Sequence, residues 1–281
     1  MPDPTRLLTT LRQAVRSFQN TPGRTGHLVH LAGPQDVLVA GDLHGNLENF
    51  RRLLERADLR SHPDRHLVFQ ELVHGPFLYP LGGDKSHQLI DLLAALKCQF
   101  PRQVHMLLGN HELAQWTNQW IAKKDTELND LFRQGIETAY GGHAEKIYDA
   151  YLDLFAAVPW AVRTPNRVFL SHSLPRAALM EEFDSKAMTS DDLHPGDLIP
   201  GGQLHSLVWG RDTSVENVTA FMNKVDADWL ITGHIPCEQG FATPNDRQLI
   251  LDCMGTPAAY CLFPVNRPVT FQDLLEGVKT L

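Results

Sequence analysis

Amphipathic stretches and short apolar runs alternate along most of the chain. Residues 4–19 place Leu7, Leu11, Val15 and Phe18 at helical spacing, which predicts an amphipathic helix. The same spacing predicts helices over 46–58, 87–99 and 214–225. Apolar runs of strand length predict strands over 36–41, 65–73, 103–108, 167–171, 228–232, 247–252 and 258–263. Strands that alternate with helices are typical of an α/β fold.

Two segments depart from this alternation. Residues 112–158 have a helical pattern that is interrupted by Gly135 and by Gly141-Gly142, and they predict a helical insertion. Residues 74–85 contain too many glycines and prolines for a regular helix or strand, so they predict an irregular loop. No linker or internal repeat clearly divides the sequence. We therefore expect a single α/β domain over residues 1–281 that carries this insertion.

Composition and charge exclude several classes of protein. The chain has 281 residues, of which 43% are hydrophobic, as expected for a globular protein with a sizeable core. Its formal net charge of −8 argues against nucleic acid as the main partner, because phosphate backbones require a basic face. The 4 cysteines form no CxxC pair, and no apolar stretch has the length of a signal peptide core or a membrane span. We expect a cytoplasmic protein without membrane association, and the sequence leaves its oligomeric state open.

Side chains of the kinds that bind metals follow four of the predicted strands. Asp42 and His44 come directly after the first strand and are two residues apart, so they share a face. Together they form a chelate of one oxygen and one imidazole, which suits manganese, iron or zinc. Asn110, His172 and His234 follow three further predicted strands. Because open α/β sheets place their sites at the carboxyl ends of strands, this pattern predicts a two-metal site.

Each of these motifs has a plainer interpretation when taken alone. Asp42 could cap a helix after a strand-to-helix turn, and His172 or His234 could be an ordinary core or surface histidine. His111 cannot easily reach the ion that Asn110 would bind along one short turn, so we interpret it as a proton donor. A zinc-protease motif at His111 is excluded because position 115 is Gln. The joint occurrence of all the motifs favours the metal site.

Taken together, the motifs resemble those of the calcineurin-like metallophosphoesterases. The matching segments are Gly41-Asp42-Leu43-His44-Gly45, Gly109-Asn110-His111-Glu112, Ser171-His172 and Thr232-Gly233-His234-Ile235-Pro236. Trp209-Gly210-Arg211-Asp212 is similar to the Trp-x-Arg context of the phosphoprotein phosphatase branch, which includes bacterial members and the diadenosine tetraphosphatases. The resemblance covers about residues 36–255. It implies a four-layer αββα sandwich with a helical insertion.

The resemblance also implies a role for each residue. The residues that would hold two divalent metal ions are Asp42 and His44 for one ion, and Asn110, His172 and His234 for the other. His111 would protonate the leaving oxygen, while Arg211 and Asn110 would bind the phosphate. Manganese is the metal that we expect first, with iron, zinc and magnesium as alternatives.

The second motif of this branch, Gly-Asp-x-x-Asp-Arg-Gly, is altered in this chain. The corresponding run is Phe69-Gln70-Glu71-Leu72-Val73-His74-Gly75. Glu71 stands where the family has the Asp that bridges both metals, and His74 stands where it has the Asp that orients the proton donor. Glu is one methylene longer than Asp, but carboxylates bind metals in more than one geometry. We therefore expect Glu71 to act as the metal bridge.

The remainder of this motif has two interpretations. In the first, it is displaced along the chain, so that Asp84 orients His111 and Lys85 replaces the missing Arg. Lys is a point charge rather than a planar fork, so its grip on phosphate would be less directional. In the second, His74 orients His111 or joins the metal ligands. We expect the first interpretation.

These expectations describe a metal-dependent phosphatase. Two metal ions would activate a hydroxide that hydrolyses the phosphomonoester of a phosphorylated small molecule or a phosphoprotein, phosphoserine and phosphothreonine included. Two alternatives stay open. One is a catalytically degenerate phosphatase fold that binds phosphorylated ligands, and the other is a dinucleoside polyphosphate hydrolase. The near balance of basic and acidic residues in the insertion disfavours a polyphosphate substrate.

Overall fold

The computed structural model describes residues 3–33, 35–123 and 126–281 and shows a mixed α/β fold. Its α-helices are α1 (Pro4–Gln19), α2 (Leu47–Ala57), α3 (His87–Gln99), α4 (Asn110–Thr117), α5 (Leu128–Tyr140), α6 (Ala144–Ala157), α7 (Ala177–Met180), α8 (Gln203–Trp209), α9 (Val215–Val225) and α10 (Phe271–Gly277). Across these described residues, no helix combines the length and apolar character needed to cross a membrane.

The strands form two large sheets and one small pair. They are β1 (Arg24–Thr25), β2 (Leu28–His30), β3 (Asp36–Asp42), β4 (Arg65–Gln70), β5 (Val104–Leu107), β6 (Ala122–Lys123), β7 (Thr126–Glu127), β8 (Ala161–Arg163), β9 (Val168–Ser171), β10 (Trp229–Thr232), β11 (Phe241–Ala242), β12 (Gln248–Leu251), β13 (Ala259–Pro264) and β14 (Val278–Thr280). One large sheet has the order β1-β2-β8-β9-β10-β12-β11, and the other has the order β14-β13-β3-β4-β5. The parallel strands β3, β4 and β5 and the parallel strands β9, β10 and β12 are the central ones for function, because their carboxyl ends carry the candidate residues.

The two large sheets pack face to face with helices outside them. Val39 and Val68 of one sheet share a fully buried cluster with Leu170 and Ile231 of the other. The outer faces are covered by helices, as where Phe169 of β9 meets Phe221 of α9 at a centroid distance of 5.7 Å. On the other side, α1 packs against α3 and α6. Alternate residues of each strand therefore face either the other sheet or a helix layer, and the predicted αββα sandwich is confirmed.

The insertion differs in part from its predicted wholly helical pattern. Between α4 and α5 the chain forms the short antiparallel pair β6–β7, after α4 ends at Asn118 in the left-handed conformation. Gly135 does not interrupt a helix but lies within α5. A Cβ atom at Gly135 would overlap the carbonyl oxygen of Asp84, so this glycine lets α5 approach the loop 74–85 closely.

Other boundaries differ for local reasons. Strand β4 ends at Gln70 rather than at residue 73, because Glu71 has a φ of 31° and leaves the extended conformation. Strands β1, β2, β8 and β14 were not predicted, since two or three residues are too few to show an alternating pattern. These short strands extend the sheets at their edges, whereas the strands that carry the candidate residues were all predicted.

Lys97 is a fully buried cation at the junction of α1, α3 and β5. Its Nζ donates hydrogen bonds to Thr21 Oγ1 at 2.9 Å, Pro101 O at 2.8 Å and Val104 O at 2.9 Å, and it lies 4.6 Å from the ring centroid of Phe18. Burial, with a smaller contribution from Arg24, lowers the pKa of Lys97 to about 7. The side chain therefore cross-links three segments at an electrostatic cost that depends on pH.

We expect Lys97→Met to lower the free energy of unfolding by about 1–3 kcal/mol, because the two carbonyl groups lose their donor. Between about pH 7 and the unfolded value near 10.4, the unfolded wild type binds more protons than the folded one, so wild-type stability should rise with pH relative to the variant. Urea unfolding of both proteins near pH 7 and near pH 9 measures this. The exposed Lys146→Met is the matched control, and an equal pH response in all three proteins would contradict the prediction.

Candidate active site

Strand ends from both large sheets meet at one cavity of about 420 Å³. The candidate residues that line it are Asp42 at the end of β3, His44 after it, Glu71 after β4, Asn110 and His111 after β5, His234 after β10, and Arg211 after α8. His172, which follows β9, is fully buried behind this surface and contacts Asn110. The ligands therefore come from two facing sheets rather than from one sheet edge.

The first group of candidate ligands is Asp42, His44 and Glu71, of which His44 and Glu71 have ligand atoms within 4.8 Å of each other and of His111. The register between β3 and β4 shifts before Asp42, and this β-bulge redirects its side chain. Asp42 Oδ2 accepts a hydrogen bond from the His234 main-chain N–H at 2.8 Å, whereas Asp42 Oδ1 is buried, accepts no hydrogen bond from the described residues and lies 3.6 Å from His172 Nδ1. His44 Nδ1 lies 2.9 Å from Val73 O, so this nitrogen is the donor and His44 Nε2 carries the lone pair. His44 Nε2 lies 3.6 Å from Glu71 Oε2.

A second group consists of Glu71, Asn110, His172 and His234. Asn110 Oδ1 lies 2.9 Å from His172 Nε2 and 2.8 Å from His234 Nδ1, and Glu71 Oε2 lies 3.3 Å from His172 Nε2. Ligands bound to one ion at about 2.0–2.2 Å lie about 3 Å from each other. The spacing of these four side chains therefore fits a single bound cation.

Glu71 is shared by both groups. Its Oε1 accepts a hydrogen bond from the His111 main-chain N–H at 2.8 Å, which fixes the carboxylate. Its Oε2 then points between His44 and His172. This oxygen is therefore within 3.6 Å of a ring nitrogen from each group.

The backbone around the cavity is strained at four non-glycine residues. His44, Glu71, His74 and His234 have φ values of 42°, 31°, 61° and 67°. The left-handed region costs non-glycine residues about 1–3 kcal/mol each and persists where the surroundings require it. Gly233 is the complementary case, because a Cβ atom there would overlap Asp42 Oδ1. Such strain concentrates at functional sites.

Burial dominates the electrostatics of the cluster. It raises the pKa of Asp42 to about 7, with the Glu71 and Asp252 carboxylates adding to the rise and His172 opposing it. Burial and the Glu71 charge likewise raise the pKa of Glu112 to about 7. Burial lowers the pKa of His172, but Glu71 and Asp42 outweigh it and bring this pKa to about 9. Crowded buried carboxylates of this kind are stabilised when a cation lies among them.

The structure differs from the expectation for Asp84. Its carboxylate accepts hydrogen bonds from Gly75 N at 3.2 Å, Ser86 N at 2.8 Å and Ser86 Oγ at 2.7 Å, and it makes no described contact with His111. His74 Nδ1 instead lies 3.0 Å from His111 Nδ1. The left-handed backbone of His74 directs its ring toward His111, and Asp84 stabilises the loop before α3. Of the two interpretations, the geometry agrees with the one that the sequence disfavoured.

Lys85 also lies elsewhere than expected. Its Nζ is 5.2 Å from the ring centroid of Tyr79, and Lys85 is not among the residues that line the cavity. The cations that do line it are Arg211 and Lys123, the latter on β6. Sequence reasoning missed Lys123 because a two-residue strand gives no recognisable pattern.

Asp252 is a second residue that sequence reasoning missed. It lines the cavity directly after β12, and its carboxylate accepts hydrogen bonds from Cys237 N at 3.0 Å and Met254 N at 2.8 Å. The sequence could have indicated Asp252, because it is the last residue of the predicted strand 247–252, much as Asp42 directly follows the predicted strand 36–41. The described hydrogen bonds indicate that it shapes the loops beside Asp42.

Comparison with known proteins gives three kinds of similarity. A family profile described as calcineurin-like phosphoesterase matches residues 36–238. A probable serine/threonine-protein phosphatase of Encephalitozoon cuniculi is 24% identical over 243 residues, which cover 80% of this chain and 48% of that protein. The chain thus spans about half the length of this curated relative.

Among solved structures, a serine/threonine phosphatase from Saccharomyces cerevisiae has a TM-score of 0.71 at 14% identity, covering 100% of this chain and 89% of its own. A cold-active protein-tyrosine phosphatase of a psychrophilic Shewanella species has a TM-score of 0.60 at 15% identity, covering 95% and 84%. A putative diadenosine tetraphosphatase has a TM-score of 0.50 at 18% identity, covering 91% and 97%. At these identities the structural matches establish the fold.

Proposed function

The chain belongs to the calcineurin-like phosphoesterase family, and on this premise we propose that it is a metal-dependent phosphatase that hydrolyses phosphomonoesters in the described cavity. The observation that carries the proposal is the position of Glu71 Oε2 between two groups of metal-type ligands. A single carboxylate oxygen facing both groups suits a pair of cations.

The residues present fit two divalent ions. Asp42, His44 and Glu71 would hold one ion, and Glu71, Asn110, His172 and His234 would hold the other. The buried Asp42 Oδ1 supports this fit, since it accepts no hydrogen bond from the described residues and has the His172 ring 3.6 Å away, and a buried oxygen of this kind is stabilised by a cation. When bound, such ions supply Lewis acidity and lower the pKa of a water molecule. We propose manganese first, with iron, zinc and magnesium as alternatives.

The remaining side chains supply charge and a proton. Arg211 and Lys123 line the cavity and would neutralise the phosphoryl oxygens, and the amide of Asn110 would contact the same phosphate. We assign to His111, as the imidazolium, the transfer of a proton to the departing oxygen when the bond from phosphorus to the ester oxygen breaks, and the attacking water releases one proton that restores this form. Because no phosphoenzyme is required, no nucleophilic side chain is assigned.

The substrate class that we propose is a phosphorylated side chain or small molecule carrying one phosphomonoester. Apolar Ile121, Leu128 and Trp209 line the cavity together with Arg211 and Lys123, and an apolar wall of this kind suits one phosphate better than a polyphosphate. The similarity to a probable serine/threonine-protein phosphatase favours phosphoserine or phosphothreonine. Peptides with phosphoserine, phosphothreonine or phosphotyrosine therefore form the first substrate panel, with a dinucleoside tetraphosphate as the comparison.

Metal content and p-nitrophenyl phosphate hydrolysis, measured on metal-free protein titrated with Mn²⁺, test the proposal. We expect two ions per chain and turnover that depends on added metal. At most one ion and no turnover would favour a degenerate fold that only binds phosphorylated ligands. Hydrolysis confined to the dinucleoside tetraphosphate would favour the polyphosphate alternative.

Metal binding should also stabilise the fold. A ligand at 100 times its dissociation constant adds about 2.7 kcal/mol to the free energy of unfolding. We therefore expect the midpoint of thermal unfolding to rise by several degrees when Mn²⁺ is added to metal-free protein, and the rise to shrink in Asp42→Asn. An equal rise in both proteins would mean that the ion binds elsewhere.

A further inference from the structure

The ring of His111 is held by a chain of side chains that reaches into the insertion. His111 Nδ1 lies 3.0 Å from His74 Nδ1, and His74 Nε2 lies 2.8 Å from Gln115 Oε1. Gln115 Nε2 in turn donates to Tyr148 Oη at 2.6 Å. We call His74, Gln115 and Tyr148 the anchor chain. It connects the candidate proton donor to α4 and α6.

Packing leaves the anchor chain little freedom. Gln115 is fully buried, and His74 and Tyr148 are nearly so. Gln115 comes one helical turn after His111 on α4, so both side chains lie on the same face of the helix. Tyr148 is covered by Arg133, whose guanidinium lies 3.8 Å from its ring centroid, and its hydroxyl is directed to Gln115 O at 3.5 Å. Gln115 and Tyr148 are thus held by the packing around them as well as by the hydrogen bonds of the anchor chain.

The hydrogen bonds of the anchor chain determine which nitrogen of each histidine ring carries a proton. Because Gln115 Nε2 is the donor to Tyr148, Gln115 Oε1 faces His74 and can only accept, so His74 Nε2 is protonated. Neutral His74 then has a lone pair on Nδ1, and this lone pair accepts the Nδ1–H of His111. The nitrogen of His111 that is left to face substrate is therefore Nε2, which carries a proton when the ring is an imidazolium.

We propose that Gln115 and Tyr148 are positioning residues for phosphoester hydrolysis, which act through His74 to hold His111 Nε2 toward the leaving oxygen. This inference rests on the proposed function. For this step His111 acts as the imidazolium, with a proton on each ring nitrogen: the bond from phosphorus to the ester oxygen breaks, the leaving oxygen takes the Nε2 proton, and the attacking water releases one proton that returns to Nε2. The Nδ1 proton of His111 stays in its hydrogen bond to His74, and no proton moves along the anchor chain.

The anchor chain stands in place of the carboxylate that orients the proton donor in the resembling family, and two of its three residues belong to the insertion. His74 stands where the resembling family has an Asp, and a neutral imidazole needs a partner to select its tautomer. Gln115 supplies that partner, and Tyr148 orients Gln115. The insertion thereby contributes to the reaction itself as well as to the wall of the cavity.

The variants Gln115→Leu and Tyr148→Phe test the inference on metal-loaded protein. We expect kcat for phenyl phosphate to fall about 5-fold in each, because one hydrogen bond worth about 1 kcal/mol no longer holds the ring. The kcat for 2,4-dinitrophenyl phosphate, whose leaving group needs no proton, should stay unchanged, as should KM for both substrates. Tyr140→Phe is the matched control, because this tyrosine bonds to Asp91 and lies outside the anchor chain.

A double-mutant cycle with His111→Asn separates positioning from general stability. In the His111→Asn background, Gln115→Leu and Tyr148→Phe should have no further effect on kcat. Equal losses on both substrates, no loss at all, or losses that persist without His111 would overturn the inference. If instead His111→Asn itself turns over phenyl phosphate normally, the proposed role of His111 fails and the inference fails with it. Tyr148→Phe keeps the ring and so remains informative if Gln115→Leu does not fold.

Discussion

Glu71→Gln is expected to lower kcat for p-nitrophenyl phosphate by about 10³-fold and to reduce the bound metal from two ions to at most one per chain. The amide can still accept the hydrogen bond from His111 N through Oε1, so the local backbone should be retained. What is lost is the charged Oε2 that faces both His44 and His172. Lewis-acid stabilisation by metals is worth several kcal/mol, and each 1.4 kcal/mol is about tenfold in rate.

Two further variants sharpen this result. Glu112→Gln removes the neighbouring buried carboxylate, which accepts hydrogen bonds from Leu72 N and Val73 N and lies outside both ligand groups, so it should keep two ions. Glu71→Asp restores the residue type of the family pattern and should keep partial activity. Metal content by elemental analysis and steady-state rates of all three variants test the bridging role of Glu71. Two ions and undiminished turnover in Glu71→Gln would contradict the bridging role.

His111→Asn is expected to lower kcat for phenyl phosphate by about 10²–10⁴-fold while two ions remain bound, because general acid catalysis contributes that much. The loss should be far smaller for 2,4-dinitrophenyl phosphate. The ring lies 4.9 Å from that of His44 by centroids, and its nitrogen is close enough to His44 and Glu71 to be an alternative ligand. Metal content therefore distinguishes the two roles.

The exposed His143→Asn serves as the control for loss of a histidine from the insertion. A loss of one ion in His111→Asn, with equal effects on both substrates, would make His111 a metal ligand instead of a proton donor. Retained ions with a loss that depends on the leaving group would support the proton donor.

The sequence was most informative where a residue follows a strand. Asp42, Asn110, His172 and His234 all come directly after predicted strands, and the structure brings them together. This part of the site could be predicted because a strand ends where its apolar run ends, and parallel strands deliver their carboxyl ends to one place. Asp252 obeys the same rule and was overlooked only for want of a family motif.

The sequence was least informative where the backbone leaves regular structure. His74 rather than Asp84 contacts His111, because Glu71 and His74 adopt left-handed backbone conformations that no local pattern announces. Lys123 rather than Lys85 lines the cavity, because the short pair β6–β7 brings it there from the insertion. Both differences arise from contacts between segments that are distant along the chain.

By itself, the sequence indicated an α/β fold through its short-range periodicity, and the resemblance of its strand-end motifs implied the family, the αββα sandwich and a set of candidate metal ligands that stays a prediction. Only the tertiary structure decided which side chains support them: Glu71 Oε2 between the two ligand groups, His74 beside His111, and Gln115 with Tyr148 behind His74. The contacts of His74 with His111 and Gln115 form only when the insertion packs against the loop before α3. That packing is a property of the folded chain as a whole.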